Sequence, residues 1–142
     1  MGKKKIVNKG GDTGMKNRAN SKKLPRKKLT SGILHVQSTF NNTKLLLTDD
    51  KGNAICEASS GSLGFRGAKK GTPFAAAQAA EILAEKAEQM GLKTIKVIVK
   101  GVGAGRESSI RGFISRGVQI TSIIDKTPVP FNGPKAPKPR RV

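Results

Sequence analysis

Ser62-Leu63-Gly64-Phe65-Arg66-Gly67-Ala68-Lys69-Lys70-Gly71-Thr72-Pro73-Phe74 is the stretch on which the reading of this chain turns. It begins as a glycine-punctuated basic loop and ends as the start of a helix. Gly61, Gly64, Gly67 and Gly71 let the backbone turn tightly and approach another molecule closely, because no Cβ stands in the way. Between them stand Arg66, Lys69 and Lys70, and no acid. Thr72 is placed to cap the helix through its hydroxyl, and Pro73 suits the first helical position because its missing N–H would have no partner there. A helix start carries partial positive charge and free donors, so the segment reads as a phosphate cradle. It lacks the Gly-Lys-Ser/Thr ending of a nucleotide-binding loop, and a solvated glycine connection is the plain alternative. The flanking segments decide between the two.

Downstream, Pro73 to about Met90 is predicted helical. Ala76, Ala80, Leu83, Ala87 and Met90 recur by threes and fours on one face, Glu81, Glu85 and Glu88 mark another, and Gly91 is the expected stop. Upstream, Ile33 to Phe40 reads as a strand with Leu34, Val36 and Phe40 on one face, turning at Asn41-Asn42. Lys44 to Thr48 returns, and Asp49-Asp50-Lys51-Gly52-Asn53 turns into a third strand over 54–59, which makes an antiparallel meander. Beyond the helix, Thr94 to Val99 alternates Ile95, Val97 and Val99 with lysine. A glycine run, Gly101-Val102-Gly103-Ala104-Gly105, leads into a second helix over 106–115, ended by Gly117, and Val118 to Ile124 is the last strand. The order β-β-β-α-β-α-β predicts an α/β fold: a mixed five-stranded sheet flanked by helices, with right-handed crossovers in its parallel part. No internal repeat is visible.

At 142 residues the chain is one domain, yet it carries 28 Lys plus Arg against 9 Asp plus Glu, a formal charge of +19. Like charges repel in a compact state, so the excess points to a polyanionic partner. Its distribution is uneven. Residues 1–29 hold eleven cations and one acid, Asp12; residues 126–142 hold five cations, no acid and five prolines. The middle, 30–125, has twelve cations and eight acids, so +15 of the charge sits in the tails. Neither tail has the apolar surface to offset its ordering entropy, and both are expected to be disordered when free, the C-terminal one extended. With five Phe, no Trp and no Tyr, base stacking is not expected to be the main binding mode. Cys56 stands alone, reads as a buried strand residue and fits a reducing compartment. No apolar run is long enough to span a bilayer, and no signal-peptide core follows the basic start, so no membrane partner is expected.

Enzymatic readings find little support. Gly101-x-Gly-x-Gly between strand and helix is similar to a dinucleotide fingerprint, with Asp125 twenty residues past Gly105. Arg106 occupies the third fingerprint position, however, and only seventeen residues follow Asp125, so no substrate-binding half is expected. A two-metal nuclease needs clustered carboxylates. Here the first strand has none, Asp49 and Asp50 lie in a turn, and Glu57 and Asp125 fall on separate strands. His35, the sole histidine, reads as a satisfied half-buried residue, and a hydrolase triad lacks its base. No cofactor, metal or small-molecule substrate is expected. A DNA-compacting basic protein remains an alternative. Arg106, Arg111 and Arg116 are spaced by five residues, which turns each about 140° from the last on a helix, so they do not share a stripe. Arg106, at the helix start, is the one expected to meet a phosphate beside the glycine amides; Glu107 can favour the helix dipole or pair with a cation.

Four blocks carry a family resemblance: Ser38-Thr39-Phe40-Asn41-Asn42-Thr43; Gly64-Phe65-Arg66-Gly67 with Lys69-Lys70 and Thr72-Pro73-Phe74-Ala75; Lys100-Gly101 with Gly105-Arg106-Glu107-Ser108; and Asp125, Thr127-Pro128, Pro130 and Asn132-Gly133. In register from about residue 30 to the C-terminus, they resemble the eleventh protein of the small ribosomal subunit, in its bacterial or organellar form. The resemblance implies an RNase H-like core without nuclease activity. It implies a seat on the small-subunit platform, bound to ribosomal RNA near the messenger exit path, in the cytoplasmic or an organellar ribosome. Proteins six, seven, eighteen and twenty-one of that subunit are the implied neighbours. On that reading Asn41, Asn42, Arg66, Lys69, Lys70, Lys100, Arg106 and Arg111 face RNA, with Lys126, Asn132, Lys135, Lys138, Arg140 and Arg141 of the tail. Two departures stand out. Val102 and Ala104 occupy positions usually held by proline in the family, which implies a less rigid loop. Phe131-Asn132-Gly133-Pro134-Lys135-Ala136-Pro137 replaces the usual His-Asn-Gly-Cys-Arg-Pro-Pro, removing a polar group at Phe131 while keeping the charge.

Overall fold

The computed structural model describes residues 28–141; most of the predicted N-terminal arm, 1–27, lies outside the described residues. Alternation of apolar and polar residues builds the strands: β1 (Ser31–Ser38), β2 (Thr43–Thr48), β3 (Ala54–Ser59), β4 (Thr94–Lys100) and β5 (Gln119–Asp125). Two helices complete the fold, α1 (Pro73–Gln89) and α2 (Gly105–Ile114), with a short 3₁₀ turn at Gly67–Gly71. The five strands form one mixed sheet in the order β3-β2-β1-β4-β5. β2 is antiparallel to β1 and to β3, whereas β1 with β4 and β4 with β5 are parallel. This is the α/β architecture predicted above, with element boundaries moved by one or two residues.

Strand register places the core. Leu34 lies opposite Leu47 on one side and Val97 on the other; Val36 lies likewise between Leu45 and Val99. All six are buried, because paired residues point to the same face and that face receives both helices. α1 brings Ala76, Ala79, Ala80, Leu83, Ala84 and Ala87, all fully buried, so the predicted stripe is the packed one. Its small side chains let α2 come close. A Cβ on Gly112 would stand 3.0 Å from the Ala77 carbonyl oxygen and 3.1 Å from the Ala80 methyl. Phe113 beside it fills the remaining space at 0 % exposure. Thr72 caps α1 as predicted, accepting from the Ala75 N–H at 3.4 Å, and Gly91 ends it at φ +83°. Leu29, assigned to the arm from sequence, packs on the core and donates its N–H to the Met90 carbonyl at 3.1 Å.

One expectation is overturned. Phe40 is not on the apolar face of β1; it is 79 % exposed. The strand ends at Ser38, which takes the last inward position, because Thr39 closes a turn on Asn42. The Thr39 N–H and hydroxyl donate to the Asn42 carbonyl at 2.8 and 3.0 Å, and the Asn42 N–H returns to the Thr39 hydroxyl at 3.1 Å. Alternation therefore stops two residues before Phe40. Cys56 is half-buried in β3 opposite Leu47, and burial pushes its thiol up to about 11 against the pull of Lys86. His35 is half-buried on the face opposite the helices, 3.3 Å from the Thr48 hydroxyl.

Candidate nucleic-acid interface

Chain direction brings the blocks together. β1, β3, β4 and β5 all run the same way, so their carboxyl ends share one end of the sheet, and α1 and α2 begin there. Three connections meet at that end: the 39–42 turn, the 60–72 loop and the 101–104 loop. Two glycines allow the contact. At Gly71 a Cβ would run into the Phe40 carbonyl oxygen, and at Gly101, which sits at φ +95°, into that of Ser38. The Gly103 N–H then donates to the Ser38 carbonyl at 3.0 Å. Three stretches far apart in sequence thus form one surface.

Of the cations expected from sequence, Arg66, Lys69, Lys70 and Lys100 lie at this end of the sheet. Arg66 is exposed just before the 3₁₀ turn and Lys69 within it, and Lys100 is exposed at the end of β4. Lys70 is half-buried: its aliphatic stem runs beside Gly61, whose other near neighbour is the Asn42 amide. Asn41 is exposed, whereas Asn42 keeps its Oδ1 buried without a partner. The Thr72 hydroxyl, besides capping α1, donates to the Lys69 carbonyl at 2.7 Å, which ties the basic loop to the helix it precedes.

Arg106 stands at the start of α2, as expected, and is engaged within the fold. Its Nη2 reaches Asp125 Oδ2 at 2.6 Å, and its Nη1 bonds the Gly101 carbonyl and lies 3.4 Å from the Thr127 hydroxyl. Thr127 in turn donates its N–H and hydroxyl to Asp125 Oδ1, at 2.9 and 2.6 Å, and its hydroxyl accepts from the Gly101 N–H at 3.2 Å. The Thr127 hydroxyl first, then the Arg106 guanidinium, holds the Asp125 carboxyl well below the usual carboxylate range. The guanidinium therefore joins the 101–104 loop, α2 and the first residues of the tail. Sequence reasoning missed this cluster, since its members are 19 and 21 residues apart and no local pattern links them.

Arg111 pairs with Glu107 one turn away on α2, both side chains about three-quarters exposed, so the pair contributes little to stability. Lys126 begins the tail, its N–H on the Val99 carbonyl at 2.9 Å. Residues 126–141 adopt neither helix nor strand, and Asn132, Lys135, Lys138, Arg140 and Arg141 are all exposed there. Asn132 takes φ +54°, a left-handed conformation that asparagine tolerates. Phe131, one of the departures, is 98 % exposed.

Carboxylates are not gathered. Glu57 on β3 and Asp125 on β5 occupy opposite edges of the five-stranded sheet, ~19 Å apart at the usual strand spacing. Metals in a two-metal centre stand only about 4 Å apart. Among the described residues no group of three or more His, Cys, Asp or Glu could hold a metal ion. No helix among them is long and apolar enough to cross a membrane. Against protein-family models, residues 32–141 match that of ribosomal protein S11, from the second residue of β1 to the end of the described tail.

Proposed function

The chain belongs to the ribosomal protein S11 family, structural proteins of the small subunit that bind ribosomal RNA, and on that premise we propose that the loop end of its sheet is the RNA-facing surface. The observation that carries this is the meeting of the 39–42, 60–72 and 101–104 segments at Phe40, Gly71 and Gly101. Lys and Arg there neutralise phosphates and release counterions, while the sheet fixes where each charge stands. Arg66, Lys69, Lys70, Lys100 and Lys126 meet phosphate. Asn41 and Asn42 supply polar contacts at the hairpin tip, and Arg111 lies along the flank. Arg106 acts by holding the loop and the tail in place. Beyond Thr127 the tail, with Asn132, Lys135, Lys138, Arg140 and Arg141, threads between RNA elements, and the basic segment preceding Leu29 adds a second arm.

The finer reading is a seat on the platform near the messenger exit path, beside proteins six, seven, eighteen and twenty-one, in a cytoplasmic or organellar ribosome. There the protein helps assembly by joining RNA segments and performs no catalysis. Its support is the match of the family's motif blocks to the three converging loops and the tail. Gradient fractionation of a lysate tests it: the chain co-sediments with small subunits and leaves RNA intact in the presence of Mg²⁺. Recovery of the chain only in the ribosome-free fractions, or RNA cleavage that disappears in Glu57→Gln or Asp125→Asn, overturns it.

A further inference from the structure

Phenylalanine is scarce in this chain, but its placement is telling. Of five, only Phe113 fills the core; Phe40 and Phe74 stand 79 % and 64 % exposed at the loop end, Phe65 is half-buried against Phe74, and Phe131 is bare in the tail. From this distribution we infer that Phe40, supported by Phe74, is a base-stacking residue, and that the loop end takes unpaired nucleotides rather than the outside of a duplex. The inference rests on the RNA-binding reading above and deepens it.

Three observations carry it. Phe40 sits on a locked turn: the Thr39–Asn42 hydrogen bonds close it, and Gly71 packs directly against the Phe40 carbonyl. A ring presented by a rigid backbone loses little freedom on binding, which favours its use as an anchor. Phe74 belongs to the same end, because it lies three residues from Gly71, a reach of at most roughly 11 Å. Phe65 braces it edge-to-face, with ring centres 6.2 Å apart and planes at 88°. Finally, the surroundings are cationic. Arg66, Lys69 and Lys70 lie in the loop between Phe65 and Phe74, while Glu107 and Asp125 are each engaged by an arginine.

Aromatic faces interleaved with lysines match what a single strand offers, a free base face beside a phosphate. A duplex hides its base faces, and an apolar protein surface gives the lysines nothing to meet. The surface therefore favours unstacked nucleotides, and an acidic protein segment is the competing occupant.

The test uses the full chain and two RNAs with equal numbers of phosphates: a hairpin with an unpaired purine loop carrying 2-aminopurine, and a blunt duplex. The wild type is expected to favour the hairpin and to quench the probe. Phe40→Ala is expected to weaken hairpin binding about ten-fold or more while leaving duplex binding and the salt slope unchanged, and Phe40→Trp to restore it. Should Phe40→Ala lower the melting temperature, Phe40→Leu against Phe40→Trp decides, since both fill the space and only one can stack well. Hairpin binding by Phe40→Ala or Phe40→Leu as tight as the wild type's overturns the stacking assignment and leaves the RNA reading standing. The same holds if Phe40→Ala loses only its binding to RNA-free small-subunit proteins. Wild-type chain that binds neither RNA overturns the RNA reading and the stacking with it.

Discussion

Arg106 and Asp125 meet at 2.6 Å across the gap between the start of α2 and the end of β5. Asp125 also receives the hydroxyl and N–H of Thr127, and Arg106 also bonds the Gly101 carbonyl. One ion pair therefore ties the 101–104 loop to the point at which the basic tail leaves the fold. Asp125→Asn keeps the size of the side chain and removes its charge. The expected outcome is a melting temperature close to wild type, because the pair is partly exposed and solvent screens it, with faster amide exchange at Thr127 and Gly101 and weaker RNA binding. The carboxyl is depressed in the folded state, so its contribution is present above the ordinary value of 3.8 and is lost as the pH falls below it. Exchange at these amides should be flat from pH 7 to 5, after correction for intrinsic rates, and should quicken only in stronger acid.

His35 provides a second pH readout. Burial first, then Lys100 and Lys126, lower its pKa from 6.5. The folded chain thus takes up a proton less readily than the unfolded one, so this stabilisation is complete above 6.5 and declines as the pH falls below it. Urea midpoints measured between pH 7.5 and 5.5 should fall, and His35→Gln should flatten that part of the profile. RNA phosphates placed against Lys100 and Lys126 should raise the His35 pKa, a shift that NMR titration of the complex can read. An unmoved imidazole would argue that neither lysine meets RNA.

Gly71→Ala places a methyl group against the Phe40 carbonyl. The core lies elsewhere, so the sheet should persist by circular dichroism while the 39–42 turn and the basic loop separate. RNA affinity is expected to drop without a change in the number of cations, leaving the salt slope near the wild-type value.

Arg66→Ala combined with Lys69→Ala separates charge from fold. Both side chains are exposed, so the melting temperature should hold. Binding should weaken similarly for any RNA sequence, and the slope of log affinity against log salt should flatten by about one unit per lost phosphate contact. Lower thermal stability with unchanged binding would give these residues a structural role instead.

Phe113→Ala tests the core beneath the site. The ring is fully buried between α1, α2 and the sheet, and its removal should cost about 3–5 kcal/mol by chemical denaturation. The loss should appear in global stability before it appears in RNA affinity at saturating RNA, because binding to the folded state offsets unfolding.

Much of this protein was legible along the chain, for a local reason. Alternation at Leu34 and Val36, at Leu45 and Leu47, and at Ile95, Val97 and Val99 marks strands because successive side chains point to opposite faces. Thr72 with Pro73 announces the start of α1 and Gly91 its end because caps act within one turn. The basic loop and the resemblance to the S11 family are likewise read from neighbours in sequence, and the family match over residues 32–141 agrees with that resemblance.

What periodicity could not reveal depends on partners distant along the chain. Phe40 continues the inward parity of Leu34 and Val36, and only the turn closed on Asn42 takes it out of the core. That Asp125 and Thr127 hold Arg106 is shown by nothing near it in sequence. Strand order sends Glu57 and Asp125 to opposite sheet edges, and the parallel pairing of β1 with β4 brings the Ser38 and Lys100 ends together. Sequence by itself determined the elements, their faces and the surplus of positive charge, since period, caps and composition are local quantities. The single surface that Arg66, Lys69, Lys70, Lys100 and the two exposed rings share was decided only by tertiary structure, because strand pairing and close glycine contacts join segments that no local pattern connects.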